Sequence, residues 1–178
     1  MLIDVLKECT LCPRKCKVNR IKNELGMCRA GKNIKIALSS LHFFEEPCIS
    51  GLLGSGTIFF SGCNLRCCFC QNYKISQECN GKEISIDELA DKFIKLQNAN
   101  ANNINLVTGF MYVPQIIEAI KIAKIKGLKI PIVYNTSGYE NVETIKMLNG
   151  YVDIYLPDLK YYYNEIGKNL SKVDNYFE

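Results

Sequence analysis

Four short runs of apolar, β-rich residues recur along this chain, at 57–60, 104–107, 130–134 and 152–156, and the segments between them change to a helical period. Alternation of this kind predicts βαβ units and a parallel sheet. The runs are nearly continuous in apolar character, as expected of strands covered on both faces. Ser85-Ile86-Asp87-Glu88 reads as a capping box, and it opens a helix with Ile86, Leu89, Ala90, Phe93 and Ile94 on one stripe. Pro114 suits the first turn of a second helix, where Val113, Ile116, Ile117, Ile120 and Ala123 share a face and Gly127 is the stop. A third, shorter helix runs from about 142 to 148 and ends at Gly150. Upstream, 34–41 reads as a further strand, followed by a connection bearing Gly51, Gly54 and Gly56.

Each of the four runs ends in a small polar or glycine-bearing loop: Ser61-Gly62-Cys63, Thr108-Gly109, Asn135-Thr136-Ser137-Gly138 and Pro157-Asp158-Leu159-Lys160. In a parallel β/α barrel such loops converge on one mouth, the face that carries the site. Taken singly, Asn135 to Gly138 is turn chemistry and Asp158 with Lys160 is a surface pair. Gathered on one rim they become candidate ligands. Gly54-Ser55-Gly56-Thr57 is a turn and not a phosphate loop, since a strand follows it and the Walker lysine is missing. His42, the lone histidine, stands beside Phe43 and Phe44 and reads as a packed residue before a catalytic one, while Glu45 and Glu46 suit solvent-facing positions equally well.

With 178 residues, 48% of them hydrophobic, the chain can bury a substantial core. The expected division is a four-cysteine metal-binding segment over 1–35, a strand and glycine-rich connection over 36–56, and a β/α barrel portion over 57–178. The start of the chain has no apolar stretch of signal-peptide length, so the ten cysteines are expected in a reducing, cytoplasmic compartment. There, clustered cysteines are metal ligands or redox groups more often than bridges. No segment approaches the length of a membrane span. The net charge of +4 is mild, and Lys121, Lys124, Lys126 and Lys129 fit a solvated helix face, so neither a membrane nor a nucleic acid is expected as partner.

Cys63, Cys67 and Cys70 follow the first run in a C-x3-C-x2-C spacing, in a loop flanked by glycine and asparagine where small apolar groups would be poorly buried. The spacing points to a shared metal group. A [4Fe–4S] cluster usually takes four cysteines, so three leave one iron open for chemistry, much as a catalytic zinc keeps a free position. Cys68 is out of register and reads as packing or incidental. A second set, Cys9, Cys12, Cys16 and Cys28, has Pro13 and Gly26 as turn-makers beside it. Four thiolates suit a closed structural zinc, with sulfurs roughly 3.5–4 Å apart, and a second iron–sulfur cluster would use the same ligands. The C-x2-C opening favours zinc.

The triplet, with Phe69 before its last cysteine, resembles the signature of the radical S-adenosylmethionine (SAM) enzymes. The likeness covers nearly the whole chain: Cys9 to Cys28 with Leu11-Cys12-Pro13-Arg14 and Val18-Asn19-Arg20, then His42 to Pro47, Gly54 to Thr57, 63–72, Asn103 to Thr108, 131–139 and 153–161 are similar to the pyruvate formate-lyase activating enzyme-like subgroup. The resemblance implies a partial (β/α) radical SAM barrel of about four βα units behind a small N-terminal Cys-rich segment. It implies that Cys63, Cys67 and Cys70 hold a [4Fe–4S] cluster whose open iron takes the amino and carboxylate groups of SAM. An electron from a donor such as ferredoxin or flavodoxin then splits the sulfonium, and the 5′-deoxyadenosyl radical abstracts hydrogen from a protein or small-molecule substrate. A backbone glycine of a partner enzyme is the activating-enzyme case.

On the same basis Phe69, Thr108, Asn135, Thr136, Ser137, Asp158 and Lys160 become SAM or cation ligands, the lysine on SAM and the asparagine, threonine and aspartate around a monovalent cation. No catalytic side chain beyond the cluster is expected. Two departures bear on this. Asn135 stands where the activating enzymes have aspartate, which counts against the cation, and Thr108-Gly109-Phe110-Met111 replaces a segment in which subgroup members usually carry proline and histidine.

Radical SAM barrels resemble rings of about six βα units, whereas four strands follow from Thr57 before a tyrosine-rich segment, 161–178. The expectation is a truncated barrel with 152–156 at an open edge, one wall of the SAM pocket missing, and weak or no turnover by this chain alone. Alternatively 161–178 folds over the edge, or the chain pairs with a copy through it. The competing function is a non-catalytic iron–sulfur or zinc protein, an electron carrier or interaction module, which would form no 5′-deoxyadenosine.

Overall fold

The computed structural model describes residues 2–177. After 3-10 turns at Leu2–Lys7 and Arg20–Lys22 come β1 (Ile34–His42), α1 (Pro47–Ser50), β2 (Ser55–Phe60), α2 (Tyr73–Ser76), β3 (Lys82–Ile84) and α3 (Ile86–Asn98). Then follow β4 (Ile104–Val107), a 3-10 turn at Phe110–Tyr112, α4 (Val113–Ile125), β5 (Ile132–Thr136), α5 (Val142–Met147), β6 (Ile154–Pro157) and α6 (Asn164–Ser171). The strands form one mixed sheet in the order β3-β1-β2-β4-β5-β6. β2, β4, β5 and β6 are parallel, and β1 is antiparallel to both of its neighbours. This is a partial β/α arrangement, with the Cys-rich segment at its N-terminus.

Register decides which face each side chain serves. Ile58, Phe60, Ile104, Leu106, Ile132 and Tyr134 point to one side and join the main core with Leu89, Ala90 and Phe93 of α3 and Ile116, Ile117 and Ile120 of α4. Each fully buried side chain of this size contributes about 1.5–3 kcal/mol. The alternate positions, with Phe59 opposite Val107 and Val107 opposite Asn135, share the other face. That face carries Thr57, Asn105 and Asn135, so the strands are less uniformly apolar than the runs suggest, because one face lines a cavity.

Local chemistry fixes the helices. The capping box of α3 is complete: the Glu88 N–H donates to Ser85 Oγ at 3.1 Å and the Ser85 N–H to Glu88 Oε2 at 2.7 Å. α4 has Pro114 in its first turn and is buried around most of its circumference. The N-terminal segment lies against it, with Gln115 Nε2 donating to the Lys32 carbonyl at 2.9 Å.

Two elements depart from the sequence pattern. β3 has three residues, of which only Ile84 is buried, too few for a period to register. β5 continues through Asn135 and Thr136, which pair with Leu156 and Pro157, so polar residues that read as loop occupy the end of a strand. Among the described residues β6 pairs with β5 alone, and its Ile154 and Tyr155 stay 36% and 39% exposed. The segment after β6 turns to the cysteine loop: the Arg66 and Cys68 N–H groups donate to the Ser171 and Leu170 carbonyls, both at 2.9 Å. There Tyr161, Val173 and Tyr176 join Leu65, Cys67 and Tyr139 in a second small core. Among the described residues no helix is long and apolar enough to cross a membrane.

Candidate functional site

β2 delivers the cysteine loop to the C-terminal rim of the parallel strands. Gly62 makes the turn at φ +99°, and the Cys28 carbonyl occupies the space a Cβ would need, so any side chain there is excluded twice over. Buried Asn64 donates from Nδ2 to the Tyr139 carbonyl at 2.6 Å and accepts at its own carbonyl from Arg14 Nε at 3.0 Å. Around the sulfurs, the Leu65 N–H lies 3.4 Å from Cys63 Sγ, the Ser171 hydroxyl 2.8 Å from Cys67 Sγ and Ser76 Oγ 3.1 Å from Cys70 Sγ. Cys68 is exposed. Burial pushes the Cys63 thiol up to about 12, and nearby Cys67, Cys70 and Cys28 add repulsion. Thiolates here need a cationic group to hold.

A cavity of about 600 Å³ opens at this rim, and it is lined by Cys63, Cys67, Phe69, Cys70, Thr108, Asn135, Thr136, Ser137, Asp158 and Lys160. All ten of the rim residues singled out in the sequence therefore face one space. Thr108 holds a left-handed backbone at φ 57°, a strained conformation for a β-branched residue. Gly138, at φ +74°, lets the β5 loop approach β6, since a Cβ would lie 2.5 Å from the Asp158 carbonyl oxygen. Asp158 and Lys160 form an ion pair at 2.5 Å. Burial is the largest single influence on the Lys160 ammonium and pulls its pKa down, but the Asp158 hydrogen bond and charge together outweigh it and leave the group above its ordinary value.

Three supporting residues escaped the sequence reading. Tyr176, from the tyrosine-rich segment, places its hydroxyl 2.6 Å from the Ser137 carbonyl and 2.9 Å from that of Asp158, and accepts the Lys160 N–H at 2.9 Å. It clasps the β5 and β6 loops. Glu140, after β5, accepts from the Tyr134 hydroxyl at 2.7 Å and from Thr136 Oγ1, and burial raises its pKa. Glu45 lies in the cavity beside His42, and its Oε2 accepts from Asn105 Nδ2 at 2.9 Å and Asn135 Nδ2 at 3.4 Å. Burial, then repulsion from Glu46, raises its pKa. Glu45 thus faces the site, and Asn135 donates to it. No local signal marks Glu140 or Tyr176, whereas Glu45 follows three residues after His42, within reach of the same wall.

Three free thiols around one space, flanked by hydroxyl and amide donors, fit a cluster that takes one thiolate per iron. Among the described residues no three His, Cys, Asp or Glu side chains stand within reach of a single ion. The closed zinc expected at Cys9, Cys12, Cys16 and Cys28 is therefore not supported. The four thiols line one pocket. Burial drives the Cys12 thiol up to about 11 and raises that of Cys28. The segment sits on the same rim as the cavity: Asn141 Nδ2 donates to the Thr10 carbonyl at 2.6 Å and Thr144 Oγ1 to that of Leu11 at 2.7 Å.

Comparison with known proteins agrees with this geometry. Residues 57–178 match the model of the radical SAM superfamily. An uncharacterized protein of Methanocaldococcus jannaschii is 39% identical over 182 residues, covering 98% of this chain and 52% of its own length. The pyruvate formate-lyase-activating enzyme of Clostridium pasteurianum is 28% identical over 109 residues, covering 58% of this chain and 44% of its own length. The chain thus spans about half the length of the curated relatives it matches. The match begins at Thr57 in β2 and takes in the cysteine loop and all the rim loops after it, and the chain belongs to the radical SAM superfamily.

Proposed function

We propose that this chain binds a [4Fe–4S] cluster through Cys63, Cys67 and Cys70 and binds SAM in the adjoining cavity for reductive cleavage and hydrogen abstraction. The observation that carries the reading is the single cavity shared by the three thiols and the loops after β4, β5 and β6. Once bound, the cluster supplies the electron that splits the SAM sulfonium and releases the 5′-deoxyadenosyl radical. Lys160, held by Asp158, offers a cation to the SAM carboxylate. Asn135, Thr136 and Ser137 offer polar groups from the end of β5, Thr108 from the end of β4, and Phe69 an apolar face at the mouth. Asn135 Nδ2 donates to Glu45 Oε2 at 3.4 Å, which ties the end of β5 to the segment after β1.

A low-potential donor of the ferredoxin or flavodoxin class delivers the electron. The likeness to an activating enzyme supports a backbone glycine of a partner enzyme as the hydrogen source, ahead of a small molecule. The test is anaerobic reconstitution with iron and sulfide, followed by SAM and dithionite. Two signals are read: a change in the electron paramagnetic resonance (EPR) spectrum of the reduced cluster on adding SAM, and 5′-deoxyadenosine by chromatography. Both are expected to vanish in Cys63→Ala. A reduced cluster whose spectrum ignores SAM, with no 5′-deoxyadenosine, would mark an electron carrier and end this reading.

A further inference from the structure

The N-terminal quartet is the largest group of soft ligands outside the proposed SAM site. Cys9, Cys12, Cys16 and Cys28 line one pocket whose other walls, apart from Arg20 and Gly26, are apolar, with Leu11, Val18, Phe110 and Met111 among them. All four thiols are free. Like Cys63, Cys67 and Cys70, they belong to no group among the described residues in which three side chains reach one ion. A single zinc would require such reach, whereas a cubane spreads its thiolates, one to each iron.

An independent observation concerns charge. Arg20 is completely buried, and its guanidinium donates to the Gly31 carbonyl at 3.1 and 2.7 Å and the Met111 carbonyl at 2.6 Å, with Nη1 3.9 Å from Cys9 Sγ. Among the described residues no carboxylate pairs with it. A buried cation without an anion is expensive, and a thiolate-ligated cluster of net negative charge supplies one. The Met27 N–H, 3.5 Å from Cys16 Sγ, is a further donor aimed at sulfur. Lys15, Lys17 and Arg29 hold left-handed backbones at φ 41°, 56° and 58°, each next to a cysteine of the set, so strained backbone is committed to aiming these side chains.

We propose that Cys9, Cys12, Cys16 and Cys28 bind a second [4Fe–4S] cluster, beside the first. The Cys28 carbonyl packs on Gly62, the residue before Cys63, so the two sites share a wall. With a protein ligand on every iron this cluster has no open position, and its chemistry is one-electron transfer. It takes one electron from a reduced ferredoxin- or flavodoxin-class donor and passes it to the cluster at Cys63, with no bond made or broken and no proton moved.

The test is iron, sulfide and zinc analysis of the anaerobically reconstituted chain and of its Cys63→Ala/Cys67→Ala/Cys70→Ala variant. About eight irons and eight sulfides are expected in the unsubstituted chain and about four of each in the variant, without stoichiometric zinc. The unsubstituted chain, fully reduced, should integrate to two spins by EPR, so the proposal is decided even if the variant does not fold. About four irons and one spin in the unsubstituted chain, or one zinc retained per chain in the variant, overturns it. Either result leaves SAM cleavage standing, because the irons at Cys63, Cys67 and Cys70 are counted separately.

Discussion

The Ser171 hydroxyl lies 2.8 Å from Cys67 Sγ, although 104 positions separate the two residues in sequence. A hydroxyl that donates to a cluster thiolate favours the reduced, more negative state. Ser171→Ala is therefore expected to lower the reduction potential of the cluster by about 40 mV, the equivalent of about 1 kcal/mol in differential hydrogen bonding. An EPR-monitored redox titration reads this directly. Tyr161 competes for the same hydroxyl at 2.5 Å, so an unchanged potential would mean that the Ser171 proton goes to the tyrosine and not to sulfur.

Cys63→Ala, Cys67→Ala and Cys70→Ala should each abolish the SAM-responsive cluster signal, since losing one of three thiolates exposes a second iron. Cys68→Ala should change cluster content by no more than the error of the iron assay, because its side chain is exposed while its N–H is already engaged with Leu170. Loss of the cluster in Cys68→Ala with retention in Cys70→Ala would reverse the ligand assignment.

Tyr176→Phe removes a hydroxyl that touches Ser137, Asp158 and Lys160 at once, while keeping the ring stacked on Tyr139 at 6.0 Å. The β5 and β6 loops lose their clasp and the Lys160 N–H its acceptor. A loss of about 1 kcal/mol of positioning corresponds to SAM binding weaker by roughly fivefold, measured by calorimetry on the reconstituted protein. Unaltered affinity would confine Tyr176 to a packing role.

These supports show where sequence reading stops. The four parallel strands were legible because their apolar runs end in polar loops, and the rim residues from Cys63 to Lys160 could be gathered because a parallel sheet sends all those loops to one side. β1 was legible as a strand over 34–41, but nothing in it reports antiparallel pairing, and the three residues of β3 carry no period. Asn135 and Thr136 read as loop because they are polar, yet they extend the ladder to face the cavity. Ser171 and Tyr176 could not be placed, since nothing local reports that the tyrosine-rich segment folds back onto the cysteine loop. The quartet of N-terminal cysteines was plain from the sequence, but its gathering around one pocket depends on the three-dimensional path between them.

Glu140 gives a pH-dependent test of the loop after β5. Burial raises its pKa above the ordinary glutamate value of 4.5, and the Thr136 and Tyr134 hydroxyls only partly offset this. The folded state therefore binds the proton more tightly than the unfolded chain does. Its stabilising contribution is full below pH 4.5 and is lost as pH rises through the raised folded value, with a slope that approaches about 1.4 kcal/mol per pH unit at most. Glu140→Gln keeps the shape and an acceptor oxygen but does not titrate. Relative to the native chain its stability is expected to climb with pH from 4.5 upward and then level off, as read from urea midpoints under anaerobic conditions. Parallel midpoint curves would mean that the carboxylate is solvated enough to ionise freely.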